Sequence, residues 1–84
     1  MTFHVYIIQS EKDGSYYVGS CQNLDERMHR HNQGRSKYTK AKRPWKLVYS
    51  EERKDRSSAV RRERAIKSRK KSDYIKNLVR TSRP

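Results

Sequence analysis

Two tyrosines, an arginine, a histidine and a glutamate stand along this chain at spacings that suit the chemistry of a phosphate ester. Tyr6 and Tyr17 lie in the short runs His4-Val5-Tyr6 and Tyr17-Val18-Gly19, on either side of Asp13-Gly14. Arg27 and His31 follow on one stretch, Glu63 on a later one. A phosphodiester is an anion that repels nucleophiles, so cleaving it takes cations to neutralise the phosphate and a base to activate water. An arginine and a carboxylate-held divalent ion can do the first, a tyrosine or histidine the second. With an ordinary pKa near 10, a tyrosine needs a nearby cation (Arg27, a metal ion or protonated His31) before it can act as a base near neutrality.

Such a set works only if the backbone brings it together. Residues 3–9 alternate, with Phe3, Val5 and Ile7 on one side and His4, Tyr6 and Ile8 on the other, which predicts a strand paired through a hairpin with 16–20. A two-residue loop sets Lys12 opposite Ser15, and a four-residue loop sets Ser10 opposite Ser15. Opposed residues share a face, so Tyr6, Ile8, Tyr17 and Gly19 project to the same side in either register. In the longer-loop register Tyr6 faces Gly19. A three-residue loop would break the arrangement.

Asn23 then caps a helix, with Glu26 at the capping-box position, Asp25 in the first turn and Gly34 at the end. Leu24, Met28 and His31 make its inward stripe, with Arg27 on the border. That arginine either pairs with an anion or passes along the core edge to water. Residues 35–44 read as an irregular basic stretch, with at most one helical turn around Lys37 to Lys40. Trp45 to Tyr49 reads as a third strand with Trp45, Leu47 and Tyr49 on one face and Pro44 at its start. A helix capped by Ser57 or Ser58 runs to about Ser68, and one capped by Ser72 or Asp73 runs to about Val79. On the first of these, Ala59, Glu63 and Ile66 form a stripe with Glu63 as the sole inward acid. A sheltered carboxylate calls for a cation: an arginine such as Arg62 or Arg27, or a divalent metal among oxygen ligands. The order β-β-α-β-α-α implies an α+β fold, one domain over residues 1–80 with a frayed basic tail at 81–84.

Charge is the strongest global feature. Lys and Arg number 22 against 9 acids in 84 residues, a formal net charge of +13. Such an excess opposes compaction and attracts polyanions, which points to nucleic acid. A membrane surface fits less well, because the helix of the basic segment 53–71 lacks the Trp/Phe/Leu face of interfacial helices. Arg35, Lys37, Tyr38, Lys40, Lys42, Arg43, Arg61 and Arg62 are the expected nucleic-acid contacts; Tyr38 could stack on a base or pack on the sheet. Trp45 reads as core. The one cysteine, Cys21, excludes a disulfide framework and a Cys-based zinc site. With no membrane span or signal-peptide core, the expected location is cytoplasmic.

The ordered set of His4-Val5-Tyr6, Tyr17-Val18-Gly19, Asn23 to Asn32 around Arg27 and His31, Arg43 to Tyr49, and Ala59 to Arg64 around Glu63 resembles the GIY-YIG nuclease domain. It is most similar to the stand-alone, single-domain bacterial members, over residues 3 to about 80. His4 stands where the first half-motif carries glycine. The resemblance implies a three-stranded antiparallel sheet flanked by helices and a metal-dependent endonuclease. Tyr6 and Tyr17 would place or deprotonate the attacking water, and Arg27 would hold the scissile phosphate. Glu63 would hold one Mg or Mn ion. His31 would be a base, a proton shuttle or an activator of a tyrosine. Asn77 is the one candidate for the family's late asparagine. DNA is the favoured substrate, with RNA also allowed. Lacking an attached recognition domain, the chain would cut with low sequence specificity or rely on a targeting protein partner, its oligomeric state being open. The alternative is a basic module that binds nucleic acid without cutting it; a structural or ribosome-associated protein would explain the charge but not Glu63.

Overall fold

The computed structural model describes residues 2–69 and 72–81. Lys70 and Lys71 of the basic run, the Ser72 side chain and residues 82–84 of the expected tail lie outside that description. Three strands, β1 (Phe3–Ser10), β2 (Tyr16–Cys21) and β3 (Trp45–Arg53), form an antiparallel sheet in the order β2-β1-β3. The helices are α1 (Leu24–Asn32), α2 (Arg56–Ser68) and α3 (Ser72–Thr81). The architecture is the α+β arrangement expected.

The β1–β2 hairpin takes the longer-loop register. Ser10 donates its backbone N–H to the Ser15 carbonyl at 2.8 Å, and Tyr6 faces Gly19. Alternation then sorts the apolar residues into two layers. On one face Val5, Ile7 and Val18 pack with Ala59, Ile66 and Val79 from α2 and α3. On the other, Tyr6, Ile8, Cys21 and Trp45 pack with Tyr17, Leu24 and Met28. Trp45 is core, as its sequence context suggested.

β3 departs from expectation. It runs on to Arg53, and its register against β1 shifts between Ile7 and Ile8, leaving Val48 as the extra residue of a bulge. Trp45 and Leu47 therefore belong to one face and Tyr49 to the other, rather than all three to one. Leu47 is left 42% exposed, while Val48 and Tyr49 both pack on the α2/α3 side. A bulge changes the parity of a strand, and hydrophobic alternation alone does not reveal it.

Helix starts are set by short side chains. Asn23 Oδ1 accepts the Glu26 N–H at 3.0 Å at the start of α1. At its end Gly34 takes φ +78, a left-handed conformation that glycine adopts without steric cost. At α2 the cap is Asp55, not Ser57 or Ser58: Asp55 Oδ1 accepts the Ser58 N–H at 2.7 Å. The longer β3 carries extended backbone right up to Asp55, so the serines fall inside the first turn. Asp73 likewise lies within the first turn of α3, which continues to Thr81.

Residues 35–44 contain turns and one short 3-10 turn at Lys40–Lys42. Polar contacts pin them to the sheet. Ser10 Oγ donates to the Lys42 carbonyl at 2.6 Å, and the Glu11 N–H reaches the Pro44 carbonyl at 2.9 Å. Asn32 clamps Trp45 twice, its Oδ1 accepting the Trp45 N–H at 2.6 Å and its Nδ2 donating to the Trp45 carbonyl at 3.1 Å. None of the described helices is long and apolar enough to cross a membrane.

Candidate active site

The five residues singled out by type and spacing converge on the outer strand, β2, and they reach it from both faces. On the α1 face, Tyr6 Oη lies 2.9 Å from His31 Nε2. The His31 ring stands between the two tyrosines, with centroids 5.9 Å from Tyr6 and 5.3 Å from Tyr17. Gly19 makes this possible. The Tyr6 ring crosses directly over it, and a Cβ there would sit 2.5 Å from Tyr6 Oη and 2.7 Å from Cζ.

On the other face Glu63, on α2, reaches the same strand. Its Oε1 accepts a hydrogen bond from Ser20 Oγ at 2.6 Å, and its Oε2 meets Lys67 Nζ at 2.6 Å. The side chain is 19% exposed, consistent with an inward acid. Its cation is Lys67, one helical turn on, rather than Arg62 or Arg27. Neighbours i and i+1 point apart on a helix, whereas i and i+4 meet. The Lys67 ammonium also sits 5.8 Å from the Tyr17 ring centroid, which links the two halves of the site around the strand edge.

Glu63 is not the sole inward acid. Glu51 is similarly sheltered, accepting hydrogen bonds from Arg62 Nε at 2.6 Å and Tyr49 Oη at 2.9 Å. Burial pulls the Glu51 carboxyl up, but the hydrogen bonds from Arg62 and Tyr49 outweigh it and hold the carboxyl below its usual range. Arg62, one of the expected nucleic-acid contacts, is thereby engaged in an internal ion pair.

Arg27 is half-buried, and its guanidinium makes no hydrogen bond or ion pair to any of the described residues. Its charge is nonetheless felt across the site. Burial and the neighbouring Tyr17 push the Tyr6 phenol up strongly while Arg27 draws it down. His31 is pushed down, first by burial and then by Arg27 and Arg30. Both members of the Tyr6–His31 pair therefore rest in their neutral forms near neutrality.

Around these side chains, an open groove of about 950 Å³ lined by His4, Ser20, Cys21, Arg27 and Arg56 runs along one end of β2. A second of about 590 Å³, lined by Tyr17 and Lys67, lies at the other end. Tyr38 is 81% exposed and does not pack on the sheet. Arg35, Lys37, Lys40, Arg43 and Arg61 are exposed as well, while Lys42 is shared with Asp13 at 3.5 Å. Asn77 is exposed on α3, accepting from Arg80 at 2.8 Å, with no contact to the Tyr6–His31 pair. Three participants were not singled out from the sequence: Ser20, Lys67 and Thr39. Thr39 is fully buried, its Oγ1 2.8 Å from His31 Nδ1. Only Lys67 carried a legible signal, its i+4 spacing from Glu63.

Among the described residues no three His, Cys, Asp or Glu side chains converge on a common point. The donor chemistry present is one carboxylate beside one serine hydroxyl. That fits an ion such as Mg²⁺, which keeps several waters and takes one or two carboxylates together with substrate phosphate oxygens.

Comparison with known proteins shows the family and the fold. The model of the GIY-YIG catalytic domain matches residues 2–77. A UPF0213 protein of Staphylococcus haemolyticus is 42% identical over 76 residues, covering 89% of this chain and 92% of that one. Another, from Staphylococcus saprophyticus, is 39% identical over 74 residues, covering 87% and 89%. The solution NMR structure of the UPF0213 protein BH0048 from Bacillus halodurans superposes with a TM-score of 0.54 at 32% identity, over 90% of this chain and 84% of that one. With Tyr6 crossing Gly19 on one face of the outer strand, Glu63 reaching Ser20 on the other, and a domain match over nearly the whole length, this chain belongs to the GIY-YIG family, with small UPF0213 proteins among its relatives.

Proposed function

We propose that this protein is a metal-dependent endonuclease that hydrolyses phosphodiester bonds of nucleic acid, DNA before RNA, with low sequence specificity. The observation that supports the reading is the meeting, along one strand edge, of a neutral Tyr6–His31 pair with Arg27, whose side chain has no anionic partner among the described residues, and Glu63, a sheltered carboxylate held by Ser20 and Lys67.

The two grooves along β2 give an extended strand a track past these groups. Arg27 binds the non-bridging oxygens of the scissile phosphate, a role that suits a guanidinium with free donors. Tyr17, less buried than Tyr6, holds the attacking water. Tyr6 takes the proton of that water as its own phenolic proton passes to His31 Nε2 along the 2.9 Å hydrogen bond. The new bond joins the water oxygen to phosphorus, and the bond to the leaving sugar oxygen breaks, that oxygen taking its proton from solvent. Burial makes a free tyrosinate costly, so the phenol gives up its proton only as it receives another. Glu63, with the Ser20 hydroxyl beside it, would hold a Mg²⁺ or Mn²⁺ ion, which when bound neutralises phosphate charge and stabilises the leaving oxygen.

Cleavage of supercoiled plasmid and labelled single strands with Mg²⁺ or Mn²⁺ tests the reading. Product should vanish with EDTA, with Glu63→Ala and with Arg27→Ala, while Glu63→Ala still binds nucleic acid. Cleavage unchanged in Glu63→Ala sinks the assignment. Tight, salt-sensitive binding with no product under any metal would instead favour a non-catalytic module, which the +13 charge alone would support.

A further inference from the structure

His31 is buried and uses both ring nitrogens, Nε2 toward Tyr6 Oη at 2.9 Å and Nδ1 toward Thr39 Oγ1 at 2.8 Å. A neutral imidazole has one donor and one acceptor, so the partners decide which nitrogen carries the proton. We infer that Thr39 is a positioning residue, whose hydroxyl oxygen holds the proton of His31 on Nδ1 and so leaves the Nε2 lone pair facing the Tyr6 phenol.

The direction follows from acid and base strength. A phenol is a stronger donor than an aliphatic alcohol, and the alcohol oxygen is the better acceptor. The chain therefore runs from Tyr6 O–H to Nε2, and from Nδ1–H to Thr39 Oγ1. In this arrangement His31 can accept the Tyr6 proton without turning: the imidazolium then donates from both nitrogens, to the Tyr6 phenol oxygen and to Thr39. With the opposite tautomer, Nε2 would already carry a proton and could take none from Tyr6.

Thr39 is held for this task although it sits in an irregular segment. Its N–H bonds the Ser36 carbonyl at 3.2 Å, and its own carbonyl accepts from Lys42 N–H at 3.2 Å and Trp45 Nε1 at 2.8 Å. The hydroxyl therefore has little freedom to leave Nδ1. Orienting partners of this kind are commonly worth about 10–100-fold in function when removed from a ligating histidine.

The inference rests on the proposed role of His31, and its first test needs neither substrate nor metal. Long-range ¹⁵N–¹H spectra of the imidazoles, with the His31 signal identified by its loss in His31→Gln, should show the Nδ1–H tautomer in the wild type. Thr39→Val, nearly isosteric, should populate the other tautomer, and Thr39→Ser should restore the first. Unchanged Trp45 fluorescence would certify the fold of each variant. In the cleavage assay kcat should fall about 10–100-fold in Thr39→Val and recover in Thr39→Ser. An Nε2–H tautomer in the wild type, or an unaltered tautomer in Thr39→Val, overturns the inference. A wild-type tautomer as expected in a chain that never cleaves would leave the hydrogen-bond assignment standing and count against the nuclease reading instead.

Discussion

Replacing Gly19 by alanine should both destabilise the protein and disable its site, because the added methyl group would occupy the space of the Tyr6 phenol. An ideal Cβ lies 2.5 Å from Tyr6 Oη, 2.7 Å from Cζ and 3.0 Å from Cε1. Carbon contacts relax at about 3.5–4.0 Å, so the ring must retreat by about 1 Å. Tyr6 is 1% exposed and packed in a cluster with Ile8, Cys21 and Trp45. Retreat also stretches the 2.9 Å bond to His31 beyond hydrogen-bonding distance and leaves buried polar atoms unpaired. Overpacking of this kind costs about 1–3 kcal/mol. The lost buried hydrogen bond adds about 1–3 kcal/mol.

A combined loss of about 3 kcal/mol would lower the thermal midpoint of so small a domain by roughly 12–24 °C. Cleavage should fall about 100-fold, the usual cost of a misplacement near 1 Å. Urea or thermal denaturation gives the first quantity and plasmid nicking the second. The double variant Gly19→Ala/Tyr6→Phe, which lacks the closest clashing atom, should be less destabilised than the sum of the singles. The sign alone is diagnostic. Where no clash exists, alanine in a strand is about 0.5–1 kcal/mol more stable than glycine. A Gly19→Ala protein as stable as the wild type, or more so, with cleavage intact, would refute the placement of Tyr6 over Gly19.

The remaining predictions concern charge. His31 has a folded-state pKa below its usual value, so the unfolded chain binds more protons as pH drops through that range. Stability should therefore be flat above pH about 6.5 and decline below it; His31→Gln should remove that component of the slope in denaturation midpoints taken between acid and neutral pH. Arg62→Ala leaves the sheltered Glu51 with Tyr49 and a 3.4 Å contact to Arg53, and should cost about 1.5–3 kcal/mol in urea denaturation, the value of a charged hydrogen bond, with little change in DNA affinity; an equal loss of affinity would place Arg62 on the binding surface. Tyr38→Ala should leave stability unchanged, since the ring is 81% exposed, and weaken single-strand binding by about 1–3 kcal/mol if the ring stacks on a base; fluorescence anisotropy at fixed salt measures it.

What the sequence disclosed follows the range of the physics involved. Tyr6, Tyr17 and Gly19 were placed on one face because hairpin parity is set locally, by Asp13-Gly14 and strand alternation. His31 was legible from helical spacing, and Asn23 from the preference of short polar residues for helix starts. The bulge at Val48 was not, because it answers to packing across the sheet: displacing one residue lets both Val48 and Tyr49 reach the α2/α3 layer. Thr39 was hidden for a related reason. It bonds His31 across eight residues of chain with no repeating period, so nothing local separates it from the serines and lysines around it.

Placing the site on β2 also resolves a tension in so basic a chain. An outer strand offers unpaired backbone groups and invites a second sheet to join it. Here that strand is notched at Gly19, flanked by Arg27 and Lys67, and carried by a protein of net charge +13. A second copy is repelled by that field, whereas a polyanion is drawn into it. The charge that disfavours the compact chain therefore protects its exposed edge and, under the proposed function, draws nucleic acid to the same edge. If so, neutralising the flanking cations should increase self-association as it weakens nucleic-acid binding. Light scattering of an Arg27→Gln/Lys67→Gln variant, beside its DNA titration, would show the two effects together, and a variant that loses affinity without any gain in self-association would separate them.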